Sequence, residues 1–299
     1  FTEPYDLPNY EAYCETCASV GMVFWNSRMN RLTGDSKYVD VLERSLYNGA
    51  LAGISLQGDR FFYVNPLASH GNHHRREWYG TACCPSQISR FLPSIGSYIY
   101  GISKSAVWVN LYIGNIVRFH AGKEKFILRQ ETNYPWDGKV KLIVDSLNKP
   151  LQKEIRLRIP AWCENYFITV NGNAIENVPI EKGYAVIDRK WTTGNEISLT
   201  MEMPVETVQS DPRVKENIGK RAVQRGPLVY CVEEADNPLF DQLTLSPDTR
   251  LDAMFTPGLL NGVVTITAVA GEEKMVFIPY YAWDNRDAGQ MKVWIDYVE

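Results

Sequence analysis

The sequence predicts a multidomain α + β protein in which a helical first third is followed by two antiparallel β-sandwich domains. Three observations carry that prediction. Apolar residues recur at three- and four-residue spacing over 10–100, the period falls to two from about residue 104, and a polar, Pro-bearing stretch at 210–220 separates two groups of strand-like runs. The expected domains are therefore 1–103, 104–210 and 211–299.

The helical third reads as three helices. Pro8-Asn9 is a start signal, and Cys14, Cys17, Ala18, Gly21, Phe24, Trp25, Arg28 and Met29 follow at helical spacing, which marks that stripe for burial. A second helix starts near Asp35-Ser36, whose side chains can accept the free N–H groups of a first turn. It runs through Val39, Leu42, Leu46 and Ala50 and stops at Gly53, a residue suited to the left-handed conformation after a helix. The third begins at Pro85, where a missing N–H loses no bond, keeps its period through Ile88, Phe91, Leu92, Ile95 and Ile99, and ends by Gly101. Three helices cannot surround a core and a cleft, so further helical material is expected before Phe1.

Strands are expected at 107–113, 139–144, 155–159, 167–170, 184–187 and 197–201, then at 228–232, 263–269, 275–281 and 291–295. Asn171-Gly172 predicts a two-residue hairpin turn, because both residues tolerate positive φ.

Composition narrows the function. With 299 residues, 45% hydrophobic and 22% charged, the chain is globular. Its 31 basic and 35 acidic residues give a charge of −4 without any run of five like charges, which argues against a nucleic-acid or membrane-surface partner. No apolar stretch reaches the roughly 18 residues that a membrane span needs. The first twenty residues lack the basic start of a secretory leader, so any targeting signal would precede Phe1. A soluble protein of the bacterial cytoplasm or periplasm is the expectation.

Six cysteines, at 14, 17, 83, 84, 163 and 231, sit in a chain too large to need disulfide staples. Glu15-x-Cys17 with Cys83-Cys84 offers one carboxylate and up to three thiolates, a donor set that suits Zn²⁺. Cys83 and Cys84 precede Pro85 at the start of the third helix, where free N–H groups and the macrodipole should lower their pKa. Glu15 and Cys17, two apart, do not share a face of a regular helix; both reach one ion only if the segment is distorted or lies at a first turn. Buried free cysteines are also ordinary small core residues, and Cys14 and Cys17 on the apolar stripe fit that reading too. A metal held here would be structural or catalytic. Cys163 and Cys231, isolated in strand-rich sequence, read as core.

The stretch before the cysteine pair concentrates polar and aromatic groups. Arg75, Arg76, Glu77, Trp78 and Tyr79 could form a sugar-binding rim, rings stacking on sugar C–H faces and polar groups reading hydroxyls. His73 and His74 are candidate ligands or substrate contacts, the alternative being a solvated loop. YYAWDNR at 280–286 looks equally site-like and is expected to pack an interface between domains.

Together, YDLPNYEAYCETCAS (5–19), FFYVNPL (61–67), WYGTACCPSQISR (78–90), WVNLYIGN (108–115), RAVQRGPLVYCVE (221–233) and IPYYAWDNR (278–286) resemble the β-L-arabinofuranosidases of glycoside hydrolase family 127 and its near relatives, over nearly the whole chain. The resemblance implies an (α/α)₆ barrel, of which this chain carries the C-terminal part, followed by the β-sandwiches. It implies Zn²⁺ on Glu15, Cys17, Cys83 and Cys84, with Cys83 also the nucleophile, and Tyr63 and Asn65 as substrate contacts. The implied acid/base is the glutamate of a Gly-Glu-x-Phe-Thr motif. Phe1-Thr2 would end that motif, which places the glutamate upstream of Phe1 and makes the chain alone inactive. The implied reaction is retaining exo-hydrolysis releasing terminal L-arabinofuranose from plant-derived oligosaccharides or glycans, with a homodimer as a further implication. Two alternatives stay open: a related hydrolase of another pectic sugar, and a non-catalytic carbohydrate-binding or structural module with a structural zinc.

Overall fold

The computed structural model describes residues 3–121, 124–270 and 273–299. Phe1 and Thr2, on which the end of the expected Gly-Glu-x-Phe-Thr motif falls, lie outside the described residues. The chain forms two compact units: one from the residues up to Met22 with Arg44–Phe91 and Pro204–Glu299, the other from Val23–Glu43 with Leu92–Met203. Each mixes helix and strand, and the fold is multidomain and strand-rich.

The first helix, α1 (Thr16–Thr33), starts well after Pro8-Asn9. The reason is hydrogen bonding. The Asn9 carbonyl accepts the N–H groups of Leu67 and Ala68, and its side chain donates to Asn217 at 2.8 Å, so this stretch is held by distant residues and cannot begin an i to i−4 ladder. The buried stripe is also rotated from the expected one. Thr16, Val20, Val23, Asn26, Ser27 and Asn30 face inward, while Ala18, Gly21, Trp25 and Arg28 are exposed.

In the second unit, α2 (Lys37–Arg44) opens where expected, the Lys37 N–H donating to Asp35 Oδ1 at 3.0 Å. Asp40 and Glu43, three apart and so on one face, both meet the fully buried Arg158. Its guanidinium donates to Asp40 at 2.8 Å, to Glu43 at 2.5 Å and to the Asn110 carbonyl at 2.7 Å, and Tyr134 adds a hydroxyl to Glu43 at 2.8 Å. One sheet here orders its strands Ile180–Glu181, Tyr184–Trp191, Leu151–Arg158, Ala106–Val109 and Tyr100–Ile102. Another orders Asn115–Ala121, Glu124–Thr132, Lys139–Leu147, Glu196–Met201, Tyr166–Val170 and Asn173–Ala174. The first departs from the all-antiparallel expectation, since Ala106–Val109 runs parallel to Leu151–Arg158. The strand expected over 107–113 stops at Val109, and the Asn110 carbonyl serves Arg158 instead of a ladder partner. Asn171 and Gly172, at φ 52° and 78°, form the expected hairpin between Val170 and Asn173.

In the first unit, α2 runs on through a π-helical turn (Ser45–Ala50) and a 3₁₀ turn (Leu51–Gly53). Gly53 ends the run as expected, for a different reason: its φ is not left-handed, but a Cβ there would lie 2.3 Å from Thr16 Cγ2. The start of α1 packs directly on it. Ala68–Ser69 leaves the helical third to pair with Met291–Lys292, joining a ten-stranded sheet otherwise drawn from 205–297. Phe62, Cys231, Ile278, Tyr280, Trp283 and Met291 share one apolar cluster beneath it. Cys163 and Cys231 are buried, as expected of core residues. Among the described residues no helix is long and apolar enough to cross a membrane.

Candidate metal centre

Three segments of the first unit converge. Glu15 is extended and bridges Val64, and its carbonyl accepts the Ser19 N–H at 3.1 Å, so it sits just outside α1 while Cys17 lies in the first turn. That resolves the two-residue spacing: an extended residue followed by a helical turn aims both side chains at one point. The FFYVNPL segment is laced to this entry. Thr16 takes the Tyr63 carbonyl with its N–H at 3.0 Å and the Phe62 carbonyl with its hydroxyl at 2.9 Å. Opposite, α3 (Cys83–Phe91) begins with the cysteine pair itself, two residues earlier than its proline suggests.

The donor atoms of Glu15, Cys17, Cys83 and Cys84 all lie within 4.8 Å of one another and could hold a metal ion. Cys83 Sγ and Cys84 Sγ are 3.8 Å apart, and Glu15 Oε1 lies 3.6 Å from the first and 3.7 Å from the second. Cys14 stands apart, exposed before the helix. The helix start does not lower the Cys84 thiol as expected. Burial pushes Cys17 up to about 11 and raises Cys84 further, because loss of water around a thiolate outweighs the helix dipole where no cation compensates.

Tyr63 places its hydroxyl 3.2 Å from Cys83 Sγ, and this contact, with burial, raises the Tyr63 pKa. Its backbone N–H donates to the Tyr79 hydroxyl at 3.3 Å, which itself donates to the Phe61 carbonyl at 3.0 Å. Asn65 takes another place. It is 2% exposed, and its amide donates to the Cys14 carbonyl at 2.9 Å and to Thr16 Oγ1 at 3.0 Å, so it pins the entry to α1. His73 is held too, its Nε2 donating to the Val64 carbonyl at 2.9 Å and its ring stacked on Phe62; burial lowers its pKa. His74 is 44% exposed and donates from Nδ1 to Asp284 at 2.7 Å.

Of the other rim residues, Arg75 is buried under the loop and donates to the carbonyls of Ala52, Tyr281, Trp283 and Asp284. Trp78 is largely exposed, edge-on to Phe61, and Glu77 pairs with Arg60. The 280–286 stretch packs against the site loop, Trp283 stacking on Phe62 and Tyr280 donating to the Pro66 carbonyl at 2.8 Å. Sequence reasoning passed over Thr16 and Asp284. Nothing local marks the former, and the only signal for the latter was its place in the polar-aromatic YYAWDNR run.

Three family models match successive parts of the chain. Residues 1–97 match the family model described as β-L-arabinofuranosidase, GH127 catalytic domain, 106–203 the GH127 middle domain, and 205–296 the glycoside hydrolase family 127 C-terminal domain. A non-reducing end β-L-arabinofuranosidase of Bifidobacterium longum subsp. longum is 36% identical over 335 residues, covering 98% of this chain and 50% of that protein. The crystal structure of a GH127 β-L-arabinofuranosidase from Geobacillus stearothermophilus T6 superposes with a TM-score of 0.93 at 42% identity, over 100% of this chain and 52% of that one. A second structure, of a GH127 β-arabinofuranosidase, gives 0.95 at 38% identity, over 100% and 51%. The chain spans about half the length of the relatives it matches.

Proposed function

The chain belongs to glycoside hydrolase family 127, and from that premise we propose that it carries the metal-and-thiol part of a retaining exo-glycosidase acting on terminal β-L-arabinofuranosides of plant-derived glycans. In this reading the residues up to 103 are the C-terminal part of an (α/α)₆ barrel, followed by β-sandwich domains over 104–210 and 211–299. The observation that carries it is the convergence of one carboxylate and three thiols within 4.8 Å beside the Tyr63 hydroxyl.

The donor set fits zinc. A tetrahedral site with bonds of about 2.3 Å sets its sulfurs roughly 3.8 Å apart, and the Cys83–Cys84 spacing is 3.8 Å. Glu15, Cys17, Cys83 and Cys84 would hold the ion, which would supply the positive charge that keeps these thiols ionised at neutral pH. Cys83, the half-exposed member of the pair, is the nucleophile; Cys84 is fully buried. The Cys83 thiolate attacks the anomeric carbon, the C–O bond to the leaving group breaks, and a glycosyl thioether forms. Tyr63 donates to the sulfur and holds its orientation. Water then displaces the thiolate and releases the sugar. Proton transfer in both steps requires a general acid/base, a role to which none of the residues described above is assigned.

The test uses the intact protein with a panel of furanosides and pectic sugars. Turnover of β-L-arabinofuranosides that is abolished by Cys83→Ala and by zinc chelation is the expected result. Undiminished turnover in Cys83→Ala overturns the mechanism, and selective turnover of another sugar overturns the substrate. Zinc retention with no turnover and no labelling of Cys83 by a furanose-mimicking electrophile leaves a structural zinc.

A further inference from the structure

A cleft of about 280 Å³ lies in the first unit, lined by Tyr63, Asn72, His74, Arg76 and Tyr79 among others. Tyr63 belongs both to this cleft and to the contact with Cys83 Sγ, so the cleft adjoins the thiol. Of the two histidines on its wall, His73 has spent Nε2 on the Val64 carbonyl. Among the described residues, His74 has not: its bond runs from Nδ1 to Asp284.

Asp284 is held from several directions. It is a non-glycine residue at φ 57°, a left-handed conformation that costs energy unless its surroundings impose it. They do. Its N–H donates to Glu233 Oε1 at 2.8 Å, its carbonyl accepts from Arg75 at 3.1 Å, and its Oδ2 accepts the Arg75 backbone N–H at 2.7 Å. Glu233 is in turn clamped by Arg286 at 2.5 Å. Only Oδ1 is left, and it takes the His74 Nδ1–H. A carboxylate acceptor on one nitrogen makes that nitrogen the protonated one in the neutral ring, so Nε2 carries the lone pair.

We infer that His74 is a substrate-positioning residue whose Nε2 accepts a hydrogen bond from a sugar hydroxyl in this cleft, and that Asp284 is the positioning residue that sets its tautomer and orientation. This rests on the glycosidase reading above and adds to it a specificity determinant supplied by the C-terminal segment. The Asp284 carboxylate carries the tautomer because it faces two donors. In Asp284→Asn, the single oxygen is claimed by the fixed Arg75 N–H, and the amide nitrogen then confronts His74, whose ring must reverse its tautomer to accept.

The experiment compares His74→Asn and His74→Gln in the intact protein, with a β-L-arabinofuranosyl disaccharide as substrate. Asparagine keeps a polar group near the Nδ1 position and glutamine near Nε2. His74→Asn is expected to raise KM about tenfold with kcat little changed, the loss of one neutral hydrogen bond, and His74→Gln to restore much of it. The reverse order would show that only the bond to Asp284 matters and overturns the inference, as does a wild-type KM in His74→Asn. Nitrogen-15 NMR should find His74 as the Nδ1–H tautomer in the wild type and Nε2–H in Asp284→Asn; an unchanged tautomer overturns the role of Asp284. Absence of wild-type turnover on every arabinofuranoside would instead defeat the parent reading and this inference with it.

Discussion

The phenolic oxygen of Tyr63 lies 3.2 Å from Cys83 Sγ, in a chain where the two residues are twenty positions apart and belong to different segments. Hydrogen bonds to a charged acceptor are worth more than neutral ones. Tyr63→Phe should therefore retain the metal and lower kcat/KM by roughly tenfold to a hundredfold. Steady-state kinetics with metal analysis on the same sample checks this; wild-type kinetics in Tyr63→Phe would remove the tyrosine from the mechanism.

Metal uptake should release protons. Cys17, pushed up to about 11, and Cys84, raised further, are protonated at neutral pH without a cation, and thiolates are the ligands. Zinc affinity should thus rise with pH through the neutral range, because fewer protons compete. Calorimetry of zinc binding to the metal-free protein, in buffers of different ionisation enthalpy, should show at least two protons released, and a heat independent of buffer would contradict it. Glu15→Gln and Cys84→Ala should each bind zinc less tightly.

Gly53 and Gly21 should respond in opposite directions to alanine. At Gly53 the new Cβ would meet Thr16 Cγ2 at 2.3 Å, and overpacking of this kind costs about 1–3 kcal/mol. Because Thr16 separates Glu15 from Cys17, the same variant should also weaken zinc binding. At Gly21, inside α1 with nothing within 4 Å, alanine should stabilise by up to ~1 kcal/mol through helix propensity. Urea denaturation of both variants decides the matter.

Glu43→Ala should be among the most destabilising single changes in the second unit. It removes the buried carboxylate that faces Arg158 and leaves that fully buried guanidinium with the partly exposed Asp40 as its remaining carboxylate partner. Breaking a buried pair from one side typically costs about 3–5 kcal/mol. A shift in the denaturation midpoint of less than about 1 kcal/mol would show that water or Asp40 alone satisfies the arginine.

The sequence by itself determined the change from helix to strand near residue 104, the Asn171-Gly172 hairpin and the four metal-ligand candidates. Each rests on a short-range rule: periodicity, turn conformation, or the donor chemistry of Cys and Glu. What it could not determine was set by partners far along the chain. Asn9 bonds to Asn217 and Leu67, which delays α1 to Thr16; Asn65 bonds to Cys14 and Thr16, which makes a motif residue a pin for the helix entry. Asp284 reaches His74 across 210 positions. The thiol pKa values depended on the tertiary structure for the same reason. A helix N-terminus is legible locally, but the burial that overrides it at Cys84 exists only once the segments carrying Glu15, Tyr63 and the cysteine pair have closed around one point.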